Sequence, residues 1–533
     1  MSSAVCEDSV TITEWQRLSP LSVIFFISKL LTKLVKDMLP SLAPLGIIVF
    51  TSDNKSFILI LVAVGASSLI LLSSFLQYWF FKYKQEGDKI LINDGVFKKN
   101  KRVIAFDRIQ NINILQPVYF KFFKLVTLQI QTAGAKGNEA DLTGIPESLA
   151  NNLRNIILEK KSKILSDKNQ SNEKLVNDFS NQKPEIIASA SLMDLTKYGI
   201  SSNGMFWFFV ILAPIMGVLD DVLEKIFTKE DIQGIIELLG GGLSGKISAV
   251  FLSVFTVFFL MFLFSIIGAI FRFYHYQLTQ TRTFSESNSE KKSLADITFK
   301  RTSGLLTRYE ESLKLNKIQS FVTKTNFIGK LLAVEHITLG QVSSGQKNQS
   351  QKQSTFIIPA RTFIIPARTF EQTKKLLNNV FDDSPEEIET QGISKRYINK
   401  TVALKLFLPS LIVSLPFIIF NELYWFTLLP IVIPTVFLPL VYRRWKAYRF
   451  GMKDGYARFE RGLFGYRHIT FPLYKVQRAE VRQSPIQRRR HLATLKIYLA
   501  SNQLQMQYIP FDVANEWLEK INKAIHLDKR PWY

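Results

Sequence analysis

The chain has 533 residues, a formal net charge of +23 and a hydrophobic content of 47%. At roughly 150 residues per domain, this length suits three or four domains, and the block-like distribution of apolar residues favours a membrane protein. The charge suits nucleic acid or anionic lipid as a partner, and basic segments beside apolar spans favour lipid. Cys6 is the only cysteine, so no intramolecular disulfide marks an oxidising compartment.

One sequence pattern occurs three times along the chain. Each copy reads G-x13-[IV]-Q-x17-[LI] without a gap and is followed by Ile-Pro and a helical pattern. Because two apolar segments precede each copy, the sequence predicts three repeats of a transmembrane helical hairpin followed by a small antiparallel β domain with a C-terminal helix. The fold class is therefore an α+β membrane protein. The shared positions are predicted to be structural, and they are Gly95, Gln110, Gly304, Gln319, Gly462 and Gln477.

The repeats set the predicted domain boundaries. A tail and interfacial helix (1–34) and hairpin 1 (35–81) precede the first β domain (82–164). A linker with an interfacial helix (165–204) and hairpin 2 (205–271) precede the second (272–382). A linker (383–401) and hairpin 3 (402–441) precede the third (442–533). Lys36 and Asp37 interrupt the first apolar segment, so whether that segment crosses the membrane stays open.

Local patterns predict the elements of each β domain. In the first, the sequence Asn93-Asp94-Gly95 predicts a tight hairpin turn with a positive φ angle. An amphipathic helix is predicted after Pro146. The second domain contains a tandem duplication, FIIPART, after a Gln/Ser/Lys-rich loop. Only one copy can form the strand that leads directly into the following helix, and we expect the second copy to form it. The role of the duplication stays open.

Charges at the span ends predict the orientation. Lys and Arg residues cluster on the side that carries the β domains, whereas the opposite loops are short or acidic. The positive-inside rule therefore places the three β domains and both termini in the cytoplasm. The polar, acidic N-terminus predicts no cleavable signal peptide.

No motif in the sequence indicates catalysis. The five histidines are scattered without metal-ligand spacing, and no nucleophile or phosphate-loop motif is present. We therefore expect no enzymatic activity, no metal and no cofactor. An enzyme of lipid metabolism would need a cluster of Asp, His or Ser at the membrane boundary. A lipid or peptide transporter, with the hairpins lining the path, is the alternative, although the spans consist mainly of Phe, Leu, Ile and Val.

The third β domain has the strongest charge signal. Between Val441 and Pro510 there are 15 Lys or Arg residues and 3 Asp or Glu residues. Basic residues beside an anionic membrane contribute about 1 kcal/mol each to binding. The predicted lipid-phosphate-binding residues are Lys475, Arg478, Arg482, Arg488, Arg489 and Arg490. The competing interpretation is that these residues only fix topology and solubility.

Four features of the sequence point to a known family. They are the aromatic span ends, the Gly-led hairpin, the [IV]-Q strand and the later LATLKIYLAS strand. With these features the sequence resembles the bacterial pleckstrin-homology-like (bPH2) membrane proteins, in particular the large three-repeat YdbT-type members. The resemblance covers nearly the whole chain. It implies a pleckstrin-homology-like (PH-like) fold for each β domain, a location in the bacterial inner membrane and no known catalytic residues. It also implies a smaller PH-like membrane protein as partner and a role in resistance to envelope stress or antimicrobial peptides. A non-enzymatic membrane scaffold is the function that we expect.

Overall fold

The computed structural model describes residues 14–33, 55–96, 98–132, 140–168, 184–202, 233–234, 237–283, 296–341, 362–381, 388–419 and 424–527. Within these residues the strands form four antiparallel sheets, and helices accompany them, as predicted for an α+β protein. Some predicted segments lie wholly or mainly outside the described residues. They are the first apolar segments of hairpins 1 and 2, the acidic loop within hairpin 2, the Gln/Ser/Lys-rich loop and the first FIIPART copy.

The first unit of the structure covers residues 14–168. Its elements are β1 (Gln16–Arg17), α1 (Ser22–Lys33), α2 (Lys55–Phe80), β2 (Lys82–Glu86), β3 (Lys89–Asp94), β4 (Asn100–Ala105), β5 (Ile109–Gln116), α3 (Val118–Lys121), β6 (Leu125–Thr132), β7 (Ala140–Pro146) and α4 (Glu147–Lys168). The predicted hairpin is β3–β4, but its turn comes later than the sequence indicated. Asn93 and Asp94 belong to β3, where Asp94 pairs with Asn100, so the turn begins at Gly95. Gly95 has a φ of 103°, as its turn requires.

The second unit covers residues 184–381. Its elements are β8 (Glu185–Ser189), α5 (Leu192–Ser201), α6 (Gly242–Phe273), β9 (Gln277–Thr283), β10 (Asp296–Ser303), β11 (Arg308–Lys314), β12 (Ile318–Thr325), α7 (Phe327–Leu331), β13 (Glu335–Gln341), β14 (Thr362–Arg368) and α8 (Phe370–Val380). The second FIIPART copy forms β14 and leads into α8, as predicted. Thr369 begins α8 with a capping box that it makes with Gln372.

The third unit covers residues 388–527. Its elements are β15 (Gln391–Gly392), α9 (Arg396–Thr401), a π-helical turn (Val402–Phe407), α10 (Leu408–Ile419), α11 (Leu429–Lys446), β16 (Arg449–Lys453), β17 (Tyr456–Gly462), β18 (Tyr466–Pro472), β19 (Val476–Arg482), α12 (Pro485–Arg488), β20 (Leu492–Leu499), β21 (Gln503–Pro510) and α13 (Phe511–Leu527). The order of strands therefore matches that of the first two units.

Equivalent glycines in the three units make the same close backbone contact. A Cβ atom added to Gly95, Gly304 or Gly462 would overlap the carbonyl group three residues further along the chain. This close approach explains why glycine recurs at the start of the sequence pattern. The turn before the sixth strand of each unit also has a left-handed residue, and the three are Lys124, Ala333 and His491, with φ angles of 52°, 52° and 50°.

The sheets extend across the boundaries between units. One seven-stranded sheet has the order β7-β6-β5-β11-β10-β9-β8, and the second has the order β14-β13-β12-β18-β17-β16-β15. The fifth strand of one unit thus pairs with the fourth strand of the next. Both junctions share one register, because Gln116 pairs with Arg308 and the equivalent Thr325 pairs with Tyr466. The outer sheets are β1-β2-β3-β4 and β19-β20-β21.

Each unit has its own hydrophobic core, which a C-terminal helix covers. In the third unit, α13 buries Ala514, Trp517 and Ile521 against the strands. This core also contains Val322 from the second unit and Tyr397 from α9. A segment that begins at residue 442 would therefore lack part of the third core.

Among the residues that the structure describes, three helical segments are long and apolar enough to cross a membrane. They are Gly242–Phe273, Arg396–Phe417 and Trp425–Lys446, and Val64–Phe80 forms a shorter apolar segment within α2. Large apolar side chains on α6 are exposed, including Phe251, whose exposed fraction is 73%. A surface of this kind suits lipid rather than water.

Candidate membrane-facing site

The β17–β18 hairpin and its equivalents lie at the ends of the apolar helices. In the second unit, the backbone N–H groups of Gly304 and Leu305 donate to Tyr274 and Phe271 at the end of α6, each at 2.9 Å. In the third unit, the guanidinium of Arg443 near the end of α11 lies 5.8 Å from the centre of the Phe464 ring. We call this the span-proximal end of each unit.

Short helical turns occupy the same end. β18 runs away from the hairpin tip and β19 returns, so the turn that contains α12 lies at the span-proximal end. In the second unit, α5 packs against both α6 and α7. The Oγ atom of Ser265 in α6 donates to the carbonyl of Gly199 in α5 at 2.6 Å. Ser265 is eight residues before the end of α6, which is about 12 Å along a helix.

The turns combine exposed apolar side chains with basic ones. Their exposed apolar residues are Phe122 (83%) and Phe123 (58%), Phe327 (65%) and Leu331 (79%), and Ile486 (71%). Lys121, Lys330 and Arg488 lie in the last turns of the three short helices. Side chains of these two kinds, beside the end of an apolar helix, are typical of segments that enter a membrane interface.

Three of the six predicted lipid-binding residues lie on such a turn. Arg488, Arg489 and Arg490 are all exposed. A capping box between Ser484 and Gln487 fixes the turn, and the Gln487 amide also donates to Thr494 at 2.9 Å. The structure therefore brings these arginines together on a rigid support.

Arg478 and Arg482 lie apart from that group, on β19. Both guanidinium groups pair with Glu480, at 2.7 and 2.8 Å. A hydrogen bond from Tyr498 and these two cations lower the pKa of the Glu480 carboxyl group. The carboxylate offsets part of their charge, so this strand presents a weaker positive surface than the α12 turn.

Lys475 is buried and bonded inside the protein. Its Nζ atom donates to the carbonyls of Asn316, at 2.8 Å, and Ile318, at 2.6 Å, in the second unit. At the equivalent position of the second unit, Lys317 donates to Asn111 of the first unit at 3.4 Å. Lys475 therefore joins two units, and we do not include it in the lipid-facing surface.

A row of basic side chains crosses the second junction. Arg461 pairs with Arg467 across β17 and β18, and Arg467 pairs with Lys324 of β12. Lys324 in turn pairs with His336 of β13. Directly paired residues project from the same face of a sheet, so these four side chains form one row. We call it the basic row.

The position of the basic row follows from its neighbours. Two residues further along each strand, on the same face of the sheet, Phe459 pairs with Ile469 and Ile469 pairs with Val322. All three belong to the third core. The row therefore lies at the span-proximal edge of that core. Local sequence patterns could not reveal it, because the register between β12 and β18 joins segments more than 130 residues apart.

Burial and like charge act together on the basic row. Burial and the charge of Arg461 lower the pKa of Arg467 to about 10. Partial desolvation and the charges of Arg467 and Arg461 lower the pKa of Lys324. Burial lowers the pKa of His336 to about 4, so the histidine is neutral at neutral pH and adds no charge to the row.

Carboxylates lie on the other face of the same strands. Glu335, next to His336, accepts a hydrogen bond from Tyr466, and Glu460 pairs with His468. His336 instead contacts Ser201 of α5, with 2.9 Å between Nε2 and Oγ. Within the described ranges, the Nε atom of Arg467 is buried without a hydrogen-bond partner. The face with the basic row can therefore attract an anion.

Neither this site nor the rest of the described chain offers an evident metal centre. Among the residues that the structure describes, no group of three or more His, Cys, Asp or Glu side chains could hold a metal ion. The chemistry that the site supports is the binding of anions beside an apolar surface.

Comparisons with known proteins define the class. The family model for the bacterial PH domain matches residues 33–161 and 403–525. The chain is therefore a membrane protein with bacterial PH domains. It is similar to the YdbT type: it is 23% identical over 356 residues to the UPF0699 transmembrane protein YdbT of Bacillus subtilis (strain 168). That match covers 65% of this chain and 66% of the relative. No solved structure gave a significant match.

Proposed function

We propose that the protein is a non-enzymatic membrane scaffold that contacts anionic lipid headgroups. It consists of three repeats of a transmembrane hairpin and a PH-like domain. The three domains lie on the cytoplasmic side of the bacterial inner membrane, where the anionic leaflet attracts basic segments. A smaller PH-like membrane protein is the partner that its family resemblance suggests, with a role in resistance to envelope stress or antimicrobial peptides.

One observation carries the lipid contact. The turns that contain α3, α7 and α12 expose large apolar side chains beside basic ones, and they lie at the span-proximal end. Apolar groups at this level enter the headgroup region, while the Lys and Arg side chains reach the phosphates. The three consecutive arginines after Gln487 give the third domain the strongest electrostatic contact.

Depth-sensitive fluorescence of the full chain tests this proposal. Cys6 is replaced by Ser, and a single cysteine at Ile486 is labelled with a dye whose emission shifts to the blue in lipid. The protein is then placed in nanodiscs of neutral or anionic lipid. We expect a blue-shifted emission that increases with anionic lipid and decreases at high salt, because the arginines draw the turn to the surface.

A matched control uses the opposite end of the same domain. Lys453 ends β16, and the seven-residue strand β17 separates this turn from the hairpin tip at Gly462. At about 3.3 Å per residue, the separation is roughly 20 Å. A label at Lys453→Cys should report water in every nanodisc. Equal emission from labels at positions 486 and 453 would refute the membrane contact of the turn.

A further inference from the structure

We propose that the basic row, formed by Arg461, Arg467, Lys324 and His336, is a binding site for a phosphate group. The ligand is the phosphate of an anionic lipid headgroup or that of a soluble phosphorylated compound. This inference rests on the proposed function, because it assigns a specific phosphate site to a membrane-facing domain. It concerns residues other than the arginines of the α12 turn.

The spacing of the row suits a single small anion. Adjacent strands lie about 4.8 Å apart, so Arg461 and Lys324 are separated by roughly 10 Å with Arg467 between them. Lys324 and Arg461 are exposed, whereas Arg467 is half-buried. A phosphate could therefore enter from the span-proximal side and accept hydrogen bonds from the central guanidinium and a flanking cation. Paired hydrogen bonds from arginine are a common means of binding phosphate.

The first junction provides an internal comparison. Its residues at the same register positions are Ser303, Tyr309 and Leu115, which pair in the same order across β10, β11 and β5. Strand pairing between units therefore does not require cations in this row. Like charges directly opposite each other destabilise a sheet, so the second junction carries an electrostatic cost that a bound anion would offset.

In the part of the chain that the structure describes, the groups around the row do not supply that anion. The charged groups that act on the pKa of Arg467 and Lys324 are members of the row itself. Arg461 and Arg444 both act on Tyr448, which adds a further cation to this region. Glu335 and Glu460 lie on the opposite face of their strands. An external phosphate is the counter-charge that fits this arrangement.

Thermal unfolding of the full chain in neutral detergent tests the site. Unfolding midpoints are measured at pH 7.5 in inorganic phosphate and in chloride of equal ionic strength. The test variant is Lys324→Leu with Arg467→Tyr, which copies the pair that the first junction already contains. The control variant, Lys453→Gln with Lys523→Gln, removes the same charge from exposed positions outside the row.

We expect phosphate to raise the midpoint of the wild type and the control. The test variant should have a higher midpoint than the wild type in chloride, because the like-charge repulsion is removed, and a smaller rise in phosphate. The general stabilising effect of phosphate is common to all three proteins, so the difference between them reports the site. An equal phosphate-dependent rise in test variant and wild type would overturn the proposal, as would a lower midpoint of the variant in chloride.

Nanodiscs of phosphatidylcholine, with or without phosphatidylglycerol, distinguish the two sources of phosphate. A phosphatidylglycerol-dependent rise in the midpoint that the test variant loses assigns the site to a lipid headgroup. A response to inorganic phosphate without a response to phosphatidylglycerol assigns it to a soluble ligand. If the label at position 486 still enters the membrane while the row variant keeps every response, the proposed function survives and the phosphate site is refuted.

Discussion

Replacing Lys475 with Met tests whether this side chain joins two units rather than binding lipid. Its ammonium group makes two buried hydrogen bonds across the second junction, to the carbonyls of Asn316 and Ile318. Hydrogen bonds from a charged donor contribute roughly 1.5–3 kcal/mol each, whereas burying an ammonium group costs several kcal/mol. We expect a net loss of about 2 kcal/mol in the free energy of unfolding, because two carbonyls lose their charged partner.

The assay is thermal unfolding of the full chain in detergent, followed by tryptophan fluorescence. Trp517 reports on the third core, where its ring lies 4.6 Å from that of Phe450. At 2–4 °C per kcal/mol for a unit of this size, the expected decrease in midpoint is roughly 4–8 °C. Lys317→Met should have a smaller effect, because the contact of Lys317 with Asn111 is longer, at 3.4 Å. The exposed Lys453→Met is the control.

A midpoint for Lys475→Met equal to that of the wild type would refute this role of Lys475. If the same variant also lost the anionic-lipid dependence of the label at position 486, Lys475 would belong to the lipid-facing surface.

Three further predictions concern the fold. Gly304→Ala should lower the free energy of unfolding by about 2 kcal/mol or more, because Gly304 has a φ of 113° and an added Cβ would overlap a carbonyl. Gly392→Ala is the control. A Cβ there meets open space, so the free energy of unfolding should hardly change. Tyr466→Phe should lower the free energy of unfolding by about 2 kcal/mol, because it removes the hydroxyl that donates a hydrogen bond to the buried Glu335. An unchanged unfolding midpoint would contradict this stabilising role of Tyr466. Burial lowers the pKa of His336 from 6.5 to about 4, so its contribution to stability is complete above pH 6.5 and is lost as the pH falls towards 4. His336→Gln should lack that component of the pH dependence, as measured by unfolding midpoints between pH 7.5 and 4.5.

The sequence predicted those parts of the fold that depend on local chemistry. The turn at Gly95, the alternating strand that became β5 and the helix after Pro146 all follow from nearby residues. The choice of the second FIIPART copy was also confirmed, because Thr369 and Gln372 form the helix cap that this copy requires. The exposed position of Arg488 followed from its charge.

Contacts between units could not be predicted in this way. The short strands β1, β8 and β15 have little pattern of their own and exist because a neighbouring strand pairs with them. Lys475 has the sequence character of a surface residue, yet the carbonyls that bind it come from the preceding unit. The basic row depends on a register between strands of different units, which hydrophobic periodicity does not encode.

The shared register of the two junctions has a consequence for how such chains can vary in length. The fourth and fifth strands of a unit determine how it joins its neighbours, and both junctions use these strands in the same alignment. A middle unit could therefore be duplicated or removed without a new kind of junction, because every internal unit presents the same pair of edges. Insertion or loss of part of a unit would leave one edge unmatched. Whole-unit changes are thus the steps by which this architecture can grow or shrink.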